Sequence, residues 1–489
     1  MKTLKLAVLP ALVIAAGCTM IPKYQRPEPS VASQYDVTAQ TQANAPLAAD
    51  IDWRDYYTDA RLQKLIGLAL ANNRDLRVAI LDIESARAQY RIQRADLLPT
   101  LSASASGSLQ RLPADVSTTG QAGVTRSYSV GGVASYELDL FGRVRSLSVQ
   151  ALQSYLATAE TRKATQISLI AEVANAWLTL QADQALKVLT ANTLLNQQAS
   201  LKITESSYRN GVASLLDLRQ AQTSVHTAQV NLAQYERQVK QDVNALTLLV
   251  GAPLDADLVA PEALVAIRLN ENLPAGLPSD LLTRRPDIMS AEHQLLAQNA
   301  NIGAARAAFF PRIALTASGG TTSASLSDLF NPGSAAWSFG PSISMPIFDY
   351  GRNSANLAVA KVNRDIAVAT YQKTIQTAFR EVSDALDGRA TWAQEESAQR
   401  ELVQASQSAY DLSDERYRQG VDGYLDVLVN QRSLYDAQQN LIKIRLSRMS
   451  NTVDLYRVLG GGWTEAAAPI TPTAPIAADA NAASRPHVD

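Results

Sequence analysis

The sequence predicts a membrane protein of mixed α+β class, built from two tandem copies of a unit in which a β-hairpin feeds a pair of very long helices. Three observations carry that prediction. First, no proline occurs between Pro113 and Pro253, and Gly211 is the only glycine inside the run from Gly142 to Gly251. Proline breaks a helix interior and glycine weakens it, so the run reads as two helices meeting at Gly211. The first of them, Arg143 to Arg209, would extend roughly 100 Å at about 1.5 Å per residue, which suits a rod and not a globular core. Second, the run recurs. Phe141-Gly142-Arg143 matches Tyr350-Gly351-Arg352, Glu172-Val173 matches Glu381-Val382, and Tyr208-Arg209-Asn210-Gly211-Val212 matches Tyr417-Arg418-Gln419-Gly420-Val421. Gly251 matches Gly460, and every pair is 209 residues apart. Third, a stretch of strict apolar/polar alternation precedes each long run.

The chain opens with the pattern of an export signal. Lys2 and Lys5 precede an apolar run, Leu6 to Ala16, that is too short to span a bilayer as a helix. It ends in Ala15-Ala16-Gly17-Cys18, small residues before the only cysteine in the chain. A lipoprotein signal peptidase needs that room, and then a thiol to carry diacylglycerol. Residues 1–17 are therefore expected to be a lipoprotein signal peptide and Cys18 the lipidated residue, with an acyl group on its amine. Thr19 is not the aspartate that tends to hold such proteins at the inner membrane.

Composition narrows the function classes. A formal charge of −2, with 18% charged residues, offers no basic surface for nucleic acid. One cysteine allows neither a disulfide framework nor a thiolate metal site. His226, His293 and His487 are far apart and lack metal-ligand spacing. There is no phosphate-cradling glycine loop and no serine elbow, so the sequence argues against an enzyme, and no cofactor is expected beyond the lipid on Cys18.

From 18 to 58 the chain is polar and proline-dotted and reads as extended, with order beginning at Trp53 to Tyr57. A helix follows over Asp59 to Asn72, and a second over Asp75 to Leu98, stopped by Pro99; its counterpart in the other copy is Asp287 to Phe310, stopped by Pro311. Next come the hairpins, at 100–141 and 312–350. Leu101, Ala103, Ala105, Gly107 and Leu109 alternate with serines, and Tyr128, Val130, Ala134, Tyr136 and Leu138 alternate with Ser129, Ser135, Glu137 and Asp139. In the second copy Trp337, Phe339, Ile343, Met345 and Ile347 alternate with Ser338, Ser342 and Ser344. Polar loops, Arg111 to Ser127 and Thr321 to Ala335, join the strands. A half-buried hairpin of a soluble sheet shows the same local pattern. Two such hairpins, behind an export signal and with no apolar helix of spanning length, favour strands of an outer-membrane barrel. Four strands cannot close a barrel and an open edge in lipid is forbidden, so at least two chains must combine.

The long helical hairpins, 142–251 and 351–460, carry heptad seams. Leu218, Val225, Leu232, Val239 and Leu246 recur at sevens; Val427, Leu434, Leu441 and Leu455 do so in the second copy, interrupted by Arg448. Ile170, Val173, Trp177 and Leu180 are expected to be packing residues. Repeat 1 would span 59–251 and repeat 2 279–460. Residues 252–278 form a proline-punctuated linker expected to lie outside the helical wall, and 461–489 an alanine- and proline-rich disordered tail.

At this point the residues resemble a family. Tyr136-Glu137-Leu138-Asp139-Leu140-Phe141-Gly142-Arg143 is similar to the strand-to-helix junction of TolC-like outer-membrane efflux channels. So is Leu281-Leu282-Thr283-Arg284-Arg285-Pro286-Asp287-Ile288 through Ala304-Ala305-Arg306-Ala307-Ala308-Phe309-Phe310-Pro311. Tyr417-Arg418-Gln419-Gly420-Val421-Asp422-Gly423-Tyr424-Leu425-Asp426-Val427-Leu428 resembles that family's periplasmic turn. The nearest branch is the lipoprotein outer-membrane factor of resistance–nodulation–division pumps. The resemblance implies a homotrimer, with a 12-stranded outer-membrane β-barrel continuous with a long periplasmic α-helical barrel. It implies a passive exit duct for antibiotics and other small amphiphiles, fed by an inner-membrane pump and a periplasmic adaptor; the same duct serving protein or metal-ion export is the alternative. It also implies a gate at the turns, with Tyr417 and Arg418 as the latch, Leu425 as a hydrophobic constriction and Asp217 as the acidic partner. Val429 stands where some members carry an acid, leaving Asp426 or Asp422 to supply an acidic ring.

Overall fold

The computed structural model describes residues 19–28, 31–32, 47–117, 120–270, 273 and 278–463. The signal peptide, Cys18 and the tail beyond 463 lie outside the described residues. A single turn, Trp53–Tyr56, precedes α1 (Ala60–Asn72) and α2 (Arg74–Ala95). Then come β1 (Thr100–Leu112), β2 (Gly123–Leu138), α3 (Arg143–Arg209) and α4 (Leu215–Val250). The same order returns in α5 (Pro278–Arg284), α6 (Pro286–Ala307), β3 (Arg312–Ser323), β4 (Ala335–Ser344), α7 (Arg352–Arg418) and α8 (Tyr424–Val458).

The two long helices, α3 and α7, are 67 residues each. Each starts behind a glycine at positive φ, Gly142 at 74° and Gly351 at 82°. Beside α3, the 22-residue α2 and the 36-residue α4 lie end to end. Asn73 makes that joint. Its carbonyl oxygen side accepts from the Leu76 N–H at 2.9 Å, capping α2, while its amide donates to the Leu249 carbonyl at 2.8 Å, satisfying an orphan at the end of α4. The second copy builds the joint differently, with Arg285 donating to the Val458 carbonyl at 3.1 Å and reaching Asp287 and Glu381. Both short helices, α2 and α6, stop at 22 residues and not at the expected 24, because Leu97 and Leu98 turn back onto the Arg94 and Ala95 carbonyls before Pro99.

The main core sits at these joints. Val173, Trp177 and Leu180 of α3, fully buried, pack with Tyr56, Leu62 and Leu65 at the start of the chain and with Val453 and Tyr456 of α8. The connecting segment and the start of the chain both pack onto the helices, and the second corrects an expectation. The connecting segment after α4 packs against the wall: Leu258, Leu264, Ile267 and Leu273 are buried in this core. Gln184 donates to the Val259 carbonyl at 2.7 Å, and Gln181 accepts from the Glu262 N–H at 2.7 Å, so α3 supplies the backbone partners that an exposed loop would find in water. Order also begins before Trp53. Ala48 and Ala49 are buried, and the stretch from Met20 to Arg26 lies along α6, where Glu292 takes Arg26 bidentately at 2.8 and 2.6 Å and accepts from the Tyr24 hydroxyl at 3.0 Å.

One antiparallel sheet joins all four strands in the order β1-β2-β3-β4. β1 runs on through Arg111 and Leu112, and β2 starts at Gly123, because the ladder pairs Arg111 with Val124 and Leu112 with Gly123. The loop expected over Arg111 to Ser127 therefore shrinks to residues 113–122; ladder pairing overrides the polarity that marked those residues as loop. β1 and β4 each have a partner on one side only. At the base of the sheet Glu137 binds Arg143 at 2.9 and 2.8 Å and Arg312 at 2.6 Å, tying β2 to α3 and β3. Asp139 accepts from the Val144 and Arg145 N–H groups at 3.2 and 2.8 Å, so the junction motif is also the N-terminal cap of α3.

Candidate functional site: the turns at the far end of the helical hairpins

The residues expected to form a gate lie on two turns of one design. Gly211 and Gly420 both have φ of 73°, the left-handed conformation that a Cβ disfavours. Val212 donates to the Ser207 carbonyl and Val421 to the Arg416 carbonyl, each at 2.9 Å, closing the last turns of α3 and α7. Beyond the turns the copies diverge. Ser214 caps α4 in a full capping box: its hydroxyl accepts from the Asp217 N–H at 3.1 Å, and the Asp217 carboxylate accepts from the Ser214 N–H at 2.9 Å and hydroxyl at 2.7 Å. In α8 the same place is Gly423, which has no side chain to cap with.

The structure brings Tyr417 together with Tyr424, at 5.4 Å between ring centroids. Both lie against Thr204 of α3, and Asp217 is close enough to raise the Tyr417 phenol by its charge, after the larger effect of burial. Tyr424, Val427 and Leu428 bury against Ala221 of α4, with Leu201 and Tyr410 around them. This small apolar cluster holds the two turns side by side, and burial pushes the Tyr424 phenol up to about 12. The expected Arg418–Asp217 pair is not made within one chain. Arg418 bridges Asp414 one turn back at 2.8 Å, with its side chain 69% exposed, and Asp217 is engaged by its own cap. Leu425, Asp426 and Val429 of α8 are exposed, as are Val212, Leu215 and Leu216 at the other turn. Asp422 takes Arg416 bidentately at 2.5 and 2.9 Å, and the Arg416 guanidinium holds its carboxyl below the usual range. Sequence reasoning missed Arg416 and Thr204; neither stands in the turn motif, and only the turn folding back on α7 puts Asp422 within reach of Arg416.

A sheet open at both edges, carried on helices of roughly 100 Å that end in paired turns, is the build of an outer-membrane channel subunit. The family described as Outer membrane efflux protein matches residues 65–252 and 277–461, and the chain belongs to it. The antibiotic efflux pump outer membrane protein ArpC and the toluene efflux pump outer membrane protein TtgC, both of Pseudomonas putida, are each 53% identical over 456 residues, covering 92% of this chain and 94% of theirs. The crystal structure of the open state of the MtrE outer membrane channel of Neisseria gonorrhoeae aligns with a TM-score of 0.82 at 42% identity, over 91% of this chain and 99% of that one. Membership places the protein in the outer membrane, among efflux channels and not among enzymes. Among the described residues no helix is long and apolar enough to cross a membrane.

Proposed function

We propose that three copies of this chain form the outer-membrane exit duct of a tripartite efflux pump, passing antibiotics, solvents and other small amphiphiles delivered by a resistance–nodulation–division pump and its adaptor. The observation that carries this is the four-stranded sheet with two unpaired edges, which only another copy's β1 or β4 completes. Three copies give a 12-stranded barrel, and two repeats per chain give each copy a matching share of the helical wall. The helices support the same closure. In one chain α2 touches α3, α3 touches α6 and α6 touches α7, leaving α2 and α7 outermost. Val78 and Leu81 on α2 and Val359, Val362 and Ile366 on α7 are exposed apolar stripes on those outer helices. The ring would close by setting α7 of one copy against α2 and α4 of the next.

The lipid anchor belongs to the same proposal. Arg306, in the last turn of α6, donates to the Met20 carbonyl at 3.2 Å, and Asn299 to the Pro22 carbonyl at 2.9 Å. The chain is thereby held beside the helix end that leads into β3, two residues after Cys18, which suits a lipidated cysteine reaching the bilayer at the periplasmic rim of the barrel. Cys18→Ser should abolish palmitate labelling; labelling that persists removes the anchor. The gate would sit at the Gly211 and Gly420 turns, with Tyr417 and Arg418 facing the next copy's Asp217, and Leu425 and Asp426 narrowing the bore.

Deleting the gene and measuring susceptibility to antibiotics and toluene tests the duct. Sensitivity should rise and return to normal on complementation; unchanged sensitivity to every pump substrate would leave a structural spacer as the better description.

A further inference from the structure

Halfway along the wall, α3 and α4 bring two carboxyl groups face to face. Asp183 is 7% exposed, and Asp242 of α4 lies within hydrogen-bond reach of it. Each has a buried Oδ2 atom with no hydrogen-bond donor. Two ionised carboxylates cannot hydrogen-bond each other, and a buried charge without a partner is costly, so the pair requires a proton or a cation between its oxygens. Among the described residues no cation pairs with either carboxyl group. Lys187, one turn along α3, does not bridge Asp183 among the described contacts. From α4 Tyr235 lies near enough to feel the Asp183 charge, and Tyr435 of α8 beside it is bonded to Thr190 at 2.7 Å. The two basic side chains of α1 on this flank are already taken, Arg61 by Glu262 and Lys64 by Asp255.

We infer that Asp183 and Asp242 share one proton, which clasps α4 to α3, and that losing this proton as the pH rises through neutrality loosens the first helical hairpin. Burial, then the hydrogen bond and charge of Asp242, push the Asp183 carboxyl up to about 7. Burial also raises Asp242, while its bond with Asp183 pulls it back, as befits two carboxyl groups that hold one proton between them. The direction is fixed by linkage. An acid raised in the packed state holds a proton that the separated state gives up near the ordinary carboxylate pKa, so contact weakens as pH rises from about 4 to about 7. The clasp is a property of the hairpin and stands apart from whatever the duct carries.

Hydrogen exchange along α4, in the full-length protein in detergent and corrected for the intrinsic rate, tests it. Opening should increase about tenfold between pH 6 and pH 8 in the wild type. Asp242→Asn, whose amide donates to Asp183 without any shared proton, should flatten that dependence. Infrared spectroscopy gives a reading that does not depend on the variant's stability: the wild type should show a protonated carboxyl band near neutral pH that titrates away with alkali. No such band, or α4 exchange that follows added Mg2+ and EDTA instead of pH, would overturn the proton and put a cation in its place.

Discussion

Glu396 on α7 is 6% exposed, yet three guanidiniums converge on it: Arg400 at 2.9 Å, Arg445 at 3.0 Å and Arg448 at 2.8 Å. Burial alone would raise its carboxyl, but the bonds from Arg448, Arg445 and Arg400 outweigh that and hold it at about 2. A depressed acid contributes stability above its unfolded pKa, near 4.5, and loses it as pH falls from there toward about 2. Glu396→Gln strands the arginines together and should cost about 2–3 kcal/mol, less than a fully buried pair because all three reach solvent; thermal melting of the detergent-solubilised protein would show it. Asp217 calls for a gentler change, because it is part of a helix cap as well as a candidate latch. Asp217→Asn keeps a side-chain oxygen for the cap and removes the charge, whereas Asp217→Ala should also cost α4 about 1 kcal/mol at its first turn. If that charge latches the neighbouring copy, Asp217→Asn combined with Arg418→Ala raises single-channel conductance in planar bilayers. Unchanged conductance in intact, inserted protein would move the gate to Arg416, Asp422 or the exposed Leu425.

At the scale of elements, glycines at one backbone conformation should behave differently. Gly211 and Gly251 both have φ of 73°, but a Cβ on Gly211 meets open space while one on Gly251 would lie 2.6 Å from the Asn72 carbonyl oxygen. Gly211→Ala should cost about 1–2 kcal/mol for the left-handed backbone alone. Gly251→Ala must also push the end of α1 away from α4, and should lower the melting temperature further; equal losses would show that the joint yields freely. The long helices, their turns and the hairpins were legible because each rests on local pattern: missing prolines, a lone glycine, alternation, a heptad. Arg448 marks the limit of that legibility. Sequence showed it interrupting the seam, but its partner Glu396 lies on a different helix, and no period points there. The connecting segment was legible as irregular chain from its prolines, but nothing local revealed that Gln181 and Gln184 would bond its backbone. At the candidate gate, Asp217 was legible as an acid near a turn, while its capture by Ser214 needed the cap geometry.

For the whole molecule the governing fact is that one chain is unfinished. β1 and β4 end the sheet with unpaired backbone groups, and in lipid each such group costs several kcal/mol, so an inserted single copy is untenable. The helical wall has the milder form of the same problem, since its outer stripes are apolar and face water in the isolated chain. Covering what is left exposed of a side chain such as Val362 or Ile366 contributes about 1 kcal/mol, and a symmetric ring would repeat each contact in every copy. Val362→Asp with Ile366→Asp would therefore replace apolar burial by buried, unpaired charge at each junction. Mass measurement in detergent should give three chains for the wild type and a dominant single chain for this variant, with drug sensitivity equal to that of a deletion. Val116→Asp, in the loop between β1 and β2, is equally exposed and apolar but off the helical wall, and should leave assembly intact. A stable trimer in the double variant would mean that α7 is not the joining face, and a wild type that is stably monomeric in the membrane would remove the barrel itself.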